Sequence, residues 1–176
     1  MKQYGRWLVA VCLVAAWAGP MMAEEEHAGV GAGAGEGREK KIEAIKERRE
    51  AKHEENLAKW QKKHDEFMAR LKERLAKNTK LTDAEKEEIT KFFDDQYSEN
   101  KTFRQTQFDE NIKFLDELAG QADLTRDQMK DKIKEHFAKQ KEENKTHRGE
   151  QKTERKAERE KIRDEVHQNA KPGGGN

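Results

Sequence analysis

The sequence predicts an all-α protein built from three long helices in an antiparallel up-down-up helical hairpin or bundle. Charged residues make up 41% of the 176 residues and hydrophobic residues only 32%, which leaves too few apolar side chains for a thick globular core. Between residues 38 and 171 there is no proline, and glycine occurs only at Gly120 and Gly149. A stretch rich in Glu, Lys, Arg, Gln and Ala without these helix breakers favours helix almost throughout.

Residues 1–23 have the pattern of a secretory signal peptide. Two basic residues precede an apolar run over residues 7–18 that is too short to cross a bilayer, and small residues offer cleavage after Ala18 or Ala23. Lipid attachment at Cys12, inside the run, is the alternative. Removal of the signal peptide leaves a chain without cysteine, so we expect a periplasmic or secreted protein with no disulfide and no stable membrane anchor.

A single elongated helical domain is expected between two flexible ends. Glycine-rich residues 24–37 predict a flexible linker, and residues 169–176 predict a flexible tail. The helices are expected over about residues 38–77, 83–119 and 126–168. Short turns between them make successive helices antiparallel neighbours.

Two capping boxes mark the starts of the second and third helices. In each, a threonine hydroxyl accepts a backbone N–H at the helix start, while a Glu or Gln three residues later reaches back to the threonine backbone. A leucine precedes each threonine. The predicted cap residues are Leu81, Thr82, Glu85, Leu124, Thr125 and Gln128.

The second helix has the widest apolar face. Its large apolar side chains fall within one arc of about 200° around the helix, which suits a helix with a neighbour on each side. Three thin helices leave part of such a face uncovered, and an exposed apolar strip flanked by charge is typical of a protein-binding surface. The candidate client-binding or partner-binding face consists of Phe92, Phe93, Tyr97, Phe103 and Phe108.

The net charge of +1 is divided unevenly among the helices. The middle helix is acidic and both of its neighbours are basic, so charge and hydrophobicity select the same central helix. Exposed ion pairs stabilise little, so this pattern selects the arrangement more than it adds stability. In the third helix, residues 138–161 contain no large apolar side chain, and we expect this stretch to be either loosely docked or frayed.

A weak internal repeat relates the second and third helices. At an offset of 44 residues they share several identities, for example Phe93 with Phe137. This offset is four times eleven, and eleven residues fill three helical turns almost without supercoiling, which predicts nearly straight helices. Asn56, Asn100 and Asn144 project onto the apolar stripes near the middle of their helices. They are either a polar layer that fixes the register or ordinary solvated positions, and the sequence leaves both interpretations open.

The chemistry of a catalytic, metal or nucleic-acid site is sparse. A single serine and no cysteine follow the signal peptide, and no glycine-rich phosphate loop is present, so we expect neither an enzyme nor a cofactor. Glutamates interrupt the basic runs, which argues against binding to nucleic acid. Four of the six histidines form two pairs spaced by eleven residues, too far apart along a helix for both members to bind one metal ion. We therefore expect no metal site and solvated histidines at His53, His64, His136 and His147.

The two capping motifs resemble the L-T-x-x-Q motif of the Spy/CpxP-like family of helical periplasmic chaperones. Residues 124–128 match it fully, and residues 81–85 match it with Glu in place of Gln. The resemblance implies an ATP-independent chaperone, often a dimer, in which a small antiparallel helical cradle holds unfolded proteins on an apolar concave surface with charged rims. In that scheme the motif residues are structural caps.

Three functions therefore compete at this stage. The first is an exported ATP-independent chaperone or stress-response protein that binds unfolded or partner proteins and forms a homodimer. The second is a structural or adaptor coiled-coil protein whose apolar stripe is consumed by self-association. The third is a metal-responsive periplasmic helical protein.

Overall fold

The computed structural model describes residues 36–121 and 123–169. Over these residues the prediction of an all-helical fold with three helices is confirmed, and no strand is present. The helices are α1 (Glu36–Ala76), α2 (Asp83–Gly120) and α3 (Arg126–Asn169). No helix in this part of the chain combines the length and the apolar character that crossing a membrane requires.

The helix bounds differ from the predicted ones by no more than two residues. Glu36 and Gly37, expected in the linker, already belong to α1. Asn169, expected in the tail, is the last residue of α3, and its side-chain amide donates to the Lys80 backbone oxygen at 3.0 Å. The predicted signal peptide, the rest of the linker and the rest of the tail lie outside the described residues.

Both predicted capping boxes are formed. Thr82 has extended backbone angles, and its hydroxyl accepts the Glu85 N–H at 3.3 Å while the Glu85 carboxylate accepts the Thr82 N–H at 2.6 Å. Before α3, the Thr125 hydroxyl accepts the Gln128 N–H at 3.3 Å and the Gln128 side chain accepts the Thr125 N–H at 2.9 Å. Each box satisfies backbone donors that a helix start leaves without partners.

Burial along α1 repeats every eleven residues. Every residue between 37 and 78 that is not exposed belongs to one of four series with this spacing. The series are Arg38, Arg49, Trp60 and Leu71; Ile42, His53, His64 and Leu75; Ile45, Asn56, Phe67 and Asn78; and Lys46, Leu57 and Met68. Eleven residues in three turns is close to the α-helical period, so one face of the long helix stays turned toward its neighbours.

An apolar cluster joins the three helices near the α2–α3 turn. It is built from Ile42, Leu115, Leu118 and Met129, each at most 5% exposed. Farther along, the contacts between helices involve many polar groups. Among the buried polar side chains are His64, Gln96, Gln107, Asn111, Gln140 and Gln151.

Candidate functional site

Between α1 and α2, two histidines of α1 stack on aromatic rings of α2. The His53 and Phe108 rings lie 4.1 Å apart at an interplanar angle of 9°. One three-turn step along the helices, the His64 and Tyr97 rings lie 3.9 Å apart at 11°. As the residue number rises by eleven in α1, it falls by eleven in α2, so both stacks occupy the same position in successive repeats.

Between α2 and α3 the same arrangement recurs with the histidines on α3. The Phe114 and His136 rings lie 4.0 Å apart at 3°, and the Phe103 and His147 rings lie 4.1 Å apart at 16°. Here too the spacing is eleven residues on each helix. The aromatic rings of α2 are therefore covered by histidines on two sides.

Each of the four histidines also has a hydrogen-bonding partner on α2. In every case Nε2 lies 2.8–3.1 Å from a side-chain oxygen. An amide or carboxylate oxygen only accepts, so Nε2 carries the hydrogen. The partners are Gln105 for His53, Asp94 for His64, Asn111 for His136 and Asn100 for His147.

The expectation of solvated histidines is therefore wrong. His64 is 6% exposed, and the other three stacked histidines are half-buried. A flat imidazole covers an aromatic face while its N–H stays hydrogen-bonded, so burial leaves no donor unpaired. The spacing of eleven within each histidine pair matches the spacing of the rings on α2, and this shared period was the sequence signal for the contact.

Two pairs of glutamines connect α2 to α3 by reciprocal bonds to backbone. The Gln107 amide donates to the Gln140 backbone oxygen at 3.4 Å, and the Gln140 amide donates to the Gln107 backbone oxygen at 3.1 Å. Eleven residues along, Gln96 and Gln151 exchange the same two bonds at 3.5 Å. We call these four residues the glutamine ladder. Sequence reasoning missed it because hydrophobicity places glutamine in solvent.

The glutamine ladder also changes the interpretation of residues 138–161. This stretch is helical throughout. Of the two alternatives expected for it, loosely docked or frayed, the frayed one is therefore wrong. Within this stretch, Gln140 and Gln151 are buried against α2. They occupy positions where large apolar residues usually hold two helices together. Its docking depends on polar contacts.

Two of the three predicted polar-layer asparagines lie in the α2–α3 interface. The Asn100 oxygen accepts from His147, and its amide donates to the Gln151 side chain at 2.6 Å. The Asn144 oxygen accepts from the Arg104 guanidinium at 2.6 Å. Asn56 is half-buried on α1. Asn100 and Asn144 thus bond side chains of the facing helix, and a role of the asparagines in fixing the register stays a prediction.

Arg104 reaches all three helices. Its guanidinium lies 5.6 Å from the centre of the Trp60 ring on α1 and donates to Asn144 on α3. Its Nε is buried without a hydrogen-bonding partner. Burial lowers the pKa of Arg104 from its usual range, with the nearby Arg148 adding to the effect. A buried cation over aromatic rings adds little net stability, because burial costs the charge its hydration. Arg104 is therefore suited to specifying how the three helices pack rather than to binding them strongly.

The five rings of the predicted binding face all lie half-buried along α2. Tyr97 and Phe108 are stacked under α1, whereas Phe103 is stacked under α3. Phe93 contacts Phe67 of α1 edge to face at 5.2 Å, and Phe92 packs against Phe93 at 5.3 Å. The structure therefore divides these rings between two interfaces, and their role in binding clients stays a prediction.

Within the described residues, no group of three or more His, Cys, Asp or Glu side chains is placed to hold a metal ion. Comparisons with protein-family models, curated proteins and solved structures give no match for this chain. The resemblance to the Spy/CpxP-like family therefore stays a prediction that rests on the two capping motifs.

Proposed function

We propose that the protein is an exported, ATP-independent helical chaperone that binds unfolded or partner proteins on the aromatic face of α2. The observation that carries the proposal is the cover over this face. Stacked histidines lie on Tyr97, Phe103 and Phe108 of this face, and the glutamine ladder joins α2 to α3, in place of a thick apolar core. We propose no catalytic activity, no cofactor and no binding of nucleic acid.

In this proposal the three helices form an antiparallel up-down-up bundle with α2 at its centre. Near one end of α2, Lys46 of α1 forms an ion pair with Asp116 at 2.8 Å. Near the other end, Lys161 of α3 forms an ion pair with Glu88 at 2.7 Å. Partner numbers fall in α2 as they rise in α1 or α3, which supports opposite chain directions. Both pairs join a basic helix to the acidic one.

The polar cover suits a surface that must become available to clients. A neutral hydrogen bond contributes only about 0.5–1.5 kcal/mol net, because water replaces it when the groups separate. An unfolded client that buries its own apolar side chains on Phe92, Phe93 or Phe103 gains contacts that water does not supply. Exchange of the polar cover for a client is therefore favourable without ATP.

Export to the periplasm and assembly into a dimer complete the proposal. The first rests on the signal-peptide pattern of residues 1–23, and the second on the resemblance to the Spy/CpxP-like family. A self-associating coiled-coil protein is the competing function. It rests on the long helices and the wide apolar face of α2 that the sequence predicts.

Client protection by purified residues 24–176 tests the proposal. We expect substoichiometric to equimolar protein to suppress light scattering by an aggregating client without ATP. Phe92→Ala should weaken this protection, because it removes a half-buried ring from the proposed face. Phe137→Ala, which removes the same ring from α3, is the matched control. Unchanged aggregation, together with a stable oligomer that binds no apolar dye, would overturn the proposal in favour of self-association.

A further inference from the structure

Helix α3 covers two rings of α2 with titratable side chains. His136 and His147 stack on Phe114 and Phe103, with ring centres 4.0 and 4.1 Å apart. Besides these stacks, the glutamine ladder, the Arg104–Asn144 hydrogen bond and the Lys161–Glu88 ion pair hold the same two helices together. The apolar cluster lies near the α2–α3 turn, so the part of α3 beyond it depends on polar contacts.

We propose that α3 is an acid-released cover over the client-binding face of α2, closed by neutral His136 and His147 and opened when both are protonated. Opening uncovers Phe103 of this face, and also Phe114 eleven residues farther along α2, for unfolded proteins, with the apolar cluster at the α2–α3 turn acting as the hinge. This regulation rests on the proposed chaperone function.

Protonation weakens the cover because it places charge in a half-buried interface whose hydrogen-bonding partners are amides. Each Nε2–H already donates to an asparagine oxygen, and the new N–H at Nδ1 brings a full positive charge with no carboxylate bonded to the ring. Asn111 and Asn100 are neutral and offer no compensating charge. The rings that stack on the two imidazoles, Phe114 and Phe103, carry no formal charge either.

Charged groups of both signs surround the two histidines, and burial outweighs them. Partial burial lowers the pKa of His136 and of His147 below the usual 6.5. Around His136 the charged neighbours are Glu110 on α2, Arg49 on α1, and Lys139 and Glu143 on α3. Around His147 they are Arg104 and Glu99 on α2, and Glu150 and Glu154 on α3.

The sign of the pH dependence follows from these lowered pKa values. The released helix, with ordinary histidines, binds protons at a higher pH than the docked helix does. The contribution of both histidines to docking is therefore complete above the usual pKa of 6.5. It is lost as the pH falls from there through the lowered pKa values of the docked state.

The α1–α2 interface responds differently because one of its histidines faces a carboxylate. His64 Nε2 lies 2.8 Å from the Asp94 carboxylate while its ring stacks on Tyr97. The partner of His64 is therefore a carboxylate, whereas the partners of His136 and His147 are neutral amides. Only one of the two stacked histidines of α1 has an amide partner, against both of those on α3, so acid should release α3 while α1 stays on α2.

Distances between spin labels test the release without any client. After the signal peptide the chain has no cysteine, so labels can be placed at Ser98→Cys on α2 with Lys152→Cys on α3, or with Lys63→Cys on α1. All three positions are exposed. Between pH 7.5 and about pH 5.5 we expect the α2–α3 distance to lengthen and broaden, and the α1–α2 distance to stay unchanged.

A variant that cannot titrate is the control. His136→Gln with His147→Gln keeps an amide donor for each asparagine, so its α2–α3 distance should be the same at both pH values. An unchanged distance in the native chain, or an equal change in this variant, overturns the acid-released cover.

Light scattering at both pH values, with the client alone as reference, separates this inference from the proposed function. If α3 opens and several-fold less protein protects the client at the lower pH, both are supported. Protection at both pH values without opening overturns the cover alone. Opening without protection at either pH overturns the proposed function and, with it, the role of α3 in client binding.

Discussion

Replacing Gln107 and Gln140 together by leucine should stabilise the protein by about 1–2 kcal/mol. The double variant loses the reciprocal hydrogen bonds of 3.4 and 3.1 Å, which contribute about 0.5–1.5 kcal/mol each. Both residues are at most 6% exposed, and a buried leucine contributes about 1.5–3 kcal/mol. The gain is reduced because the glutamine methylenes are already buried and because the unfolded chain is itself partly compact.

Two features of the structure make leucine acceptable at this layer. Leu118 and Met129 occupy the equivalent positions eleven residues away, and both are buried in the apolar cluster. The backbone oxygens that lose the glutamine donors still accept their own intrahelical bonds. One added cost is the 3.3 Å bond from Arg104 to the Gln107 side chain, but Arg104 keeps its shorter bond to Asn144.

Urea and thermal unfolding followed by circular dichroism measure the effect. A gain of this size raises Tm by about 2–8 °C in a protein of this length. Gln168→Leu, at an exposed position of α3, is the matched control and should change the free energy of unfolding by less than about 0.5 kcal/mol. The same double variant should also protect clients less well, because it holds α3 more firmly on α2.

A destabilisation of more than about 1 kcal/mol would refute this reasoning. It would mean that the glutamine ladder holds α3 more strongly than apolar packing does, so that the interface is not a weak polar cover. An equal gain in Gln168→Leu would show that the effect arises from leucine's helix propensity rather than from burial.

Three further predictions concern the fold. Leu118→Ala should cost about 2–5 kcal/mol in urea unfolding, because Leu118 is 1% exposed in the apolar cluster, and a cost below 1 kcal/mol would show that the cluster is not packed. Thr82→Ala should cost about 0.5–2 kcal/mol by removing the cap of α2, whereas Thr82→Ser should be nearly neutral; equal losses would exclude the hydroxyl as the cause. Sodium chloride at about 1 M should lower Tm slightly, because it screens exposed interhelical ion pairs such as Lys161 with Glu88. A Tm that does not change with salt would contradict a role of the helix charges in selecting the arrangement.

The helices could be predicted from the sequence because their signals are local. Thr82 with Glu85 and Thr125 with Gln128 each fix a helix start through contacts across three residues, and the structure forms both boxes. The stretches between these starts contain no proline, so nothing in them interrupts a helix once it has begun. Such signals need no knowledge of which helix lies against which, and this is why the bounds agree closely.

The composition of the interfaces could not be predicted in the same way. An apolar-face calculation counts Gln96 and His64 as solvent-facing, yet both are at most 6% exposed. Their burial depends on partners in another helix: a backbone oxygen for Gln96 and the Tyr97 ring for His64. These hydrogen bonds and stacks form only when the helices are paired. The hydrophobicity pattern of a single helix therefore cannot show which polar residues will be buried.

Contacts that repeat every eleven residues do not by themselves fix the register between α1 and α2. If α1 slid along α2 by one repeat, His64 would reach the level of Phe108 and meet Gln105 in place of Asp94, so a similar stack and hydrogen bond would form again. Such a slide is about 16 Å along the helix axis. The six residues 77–82 between α1 and α2 span at most about 20 Å when fully extended, so the slide would straighten the turn. It would also pull Leu81, which is 5% exposed, out of its buried position. Leu81 and the short turn therefore select one register from several that the histidine stacks would allow. This gives the leucine of the first capping motif a structural role although it makes no capping bond.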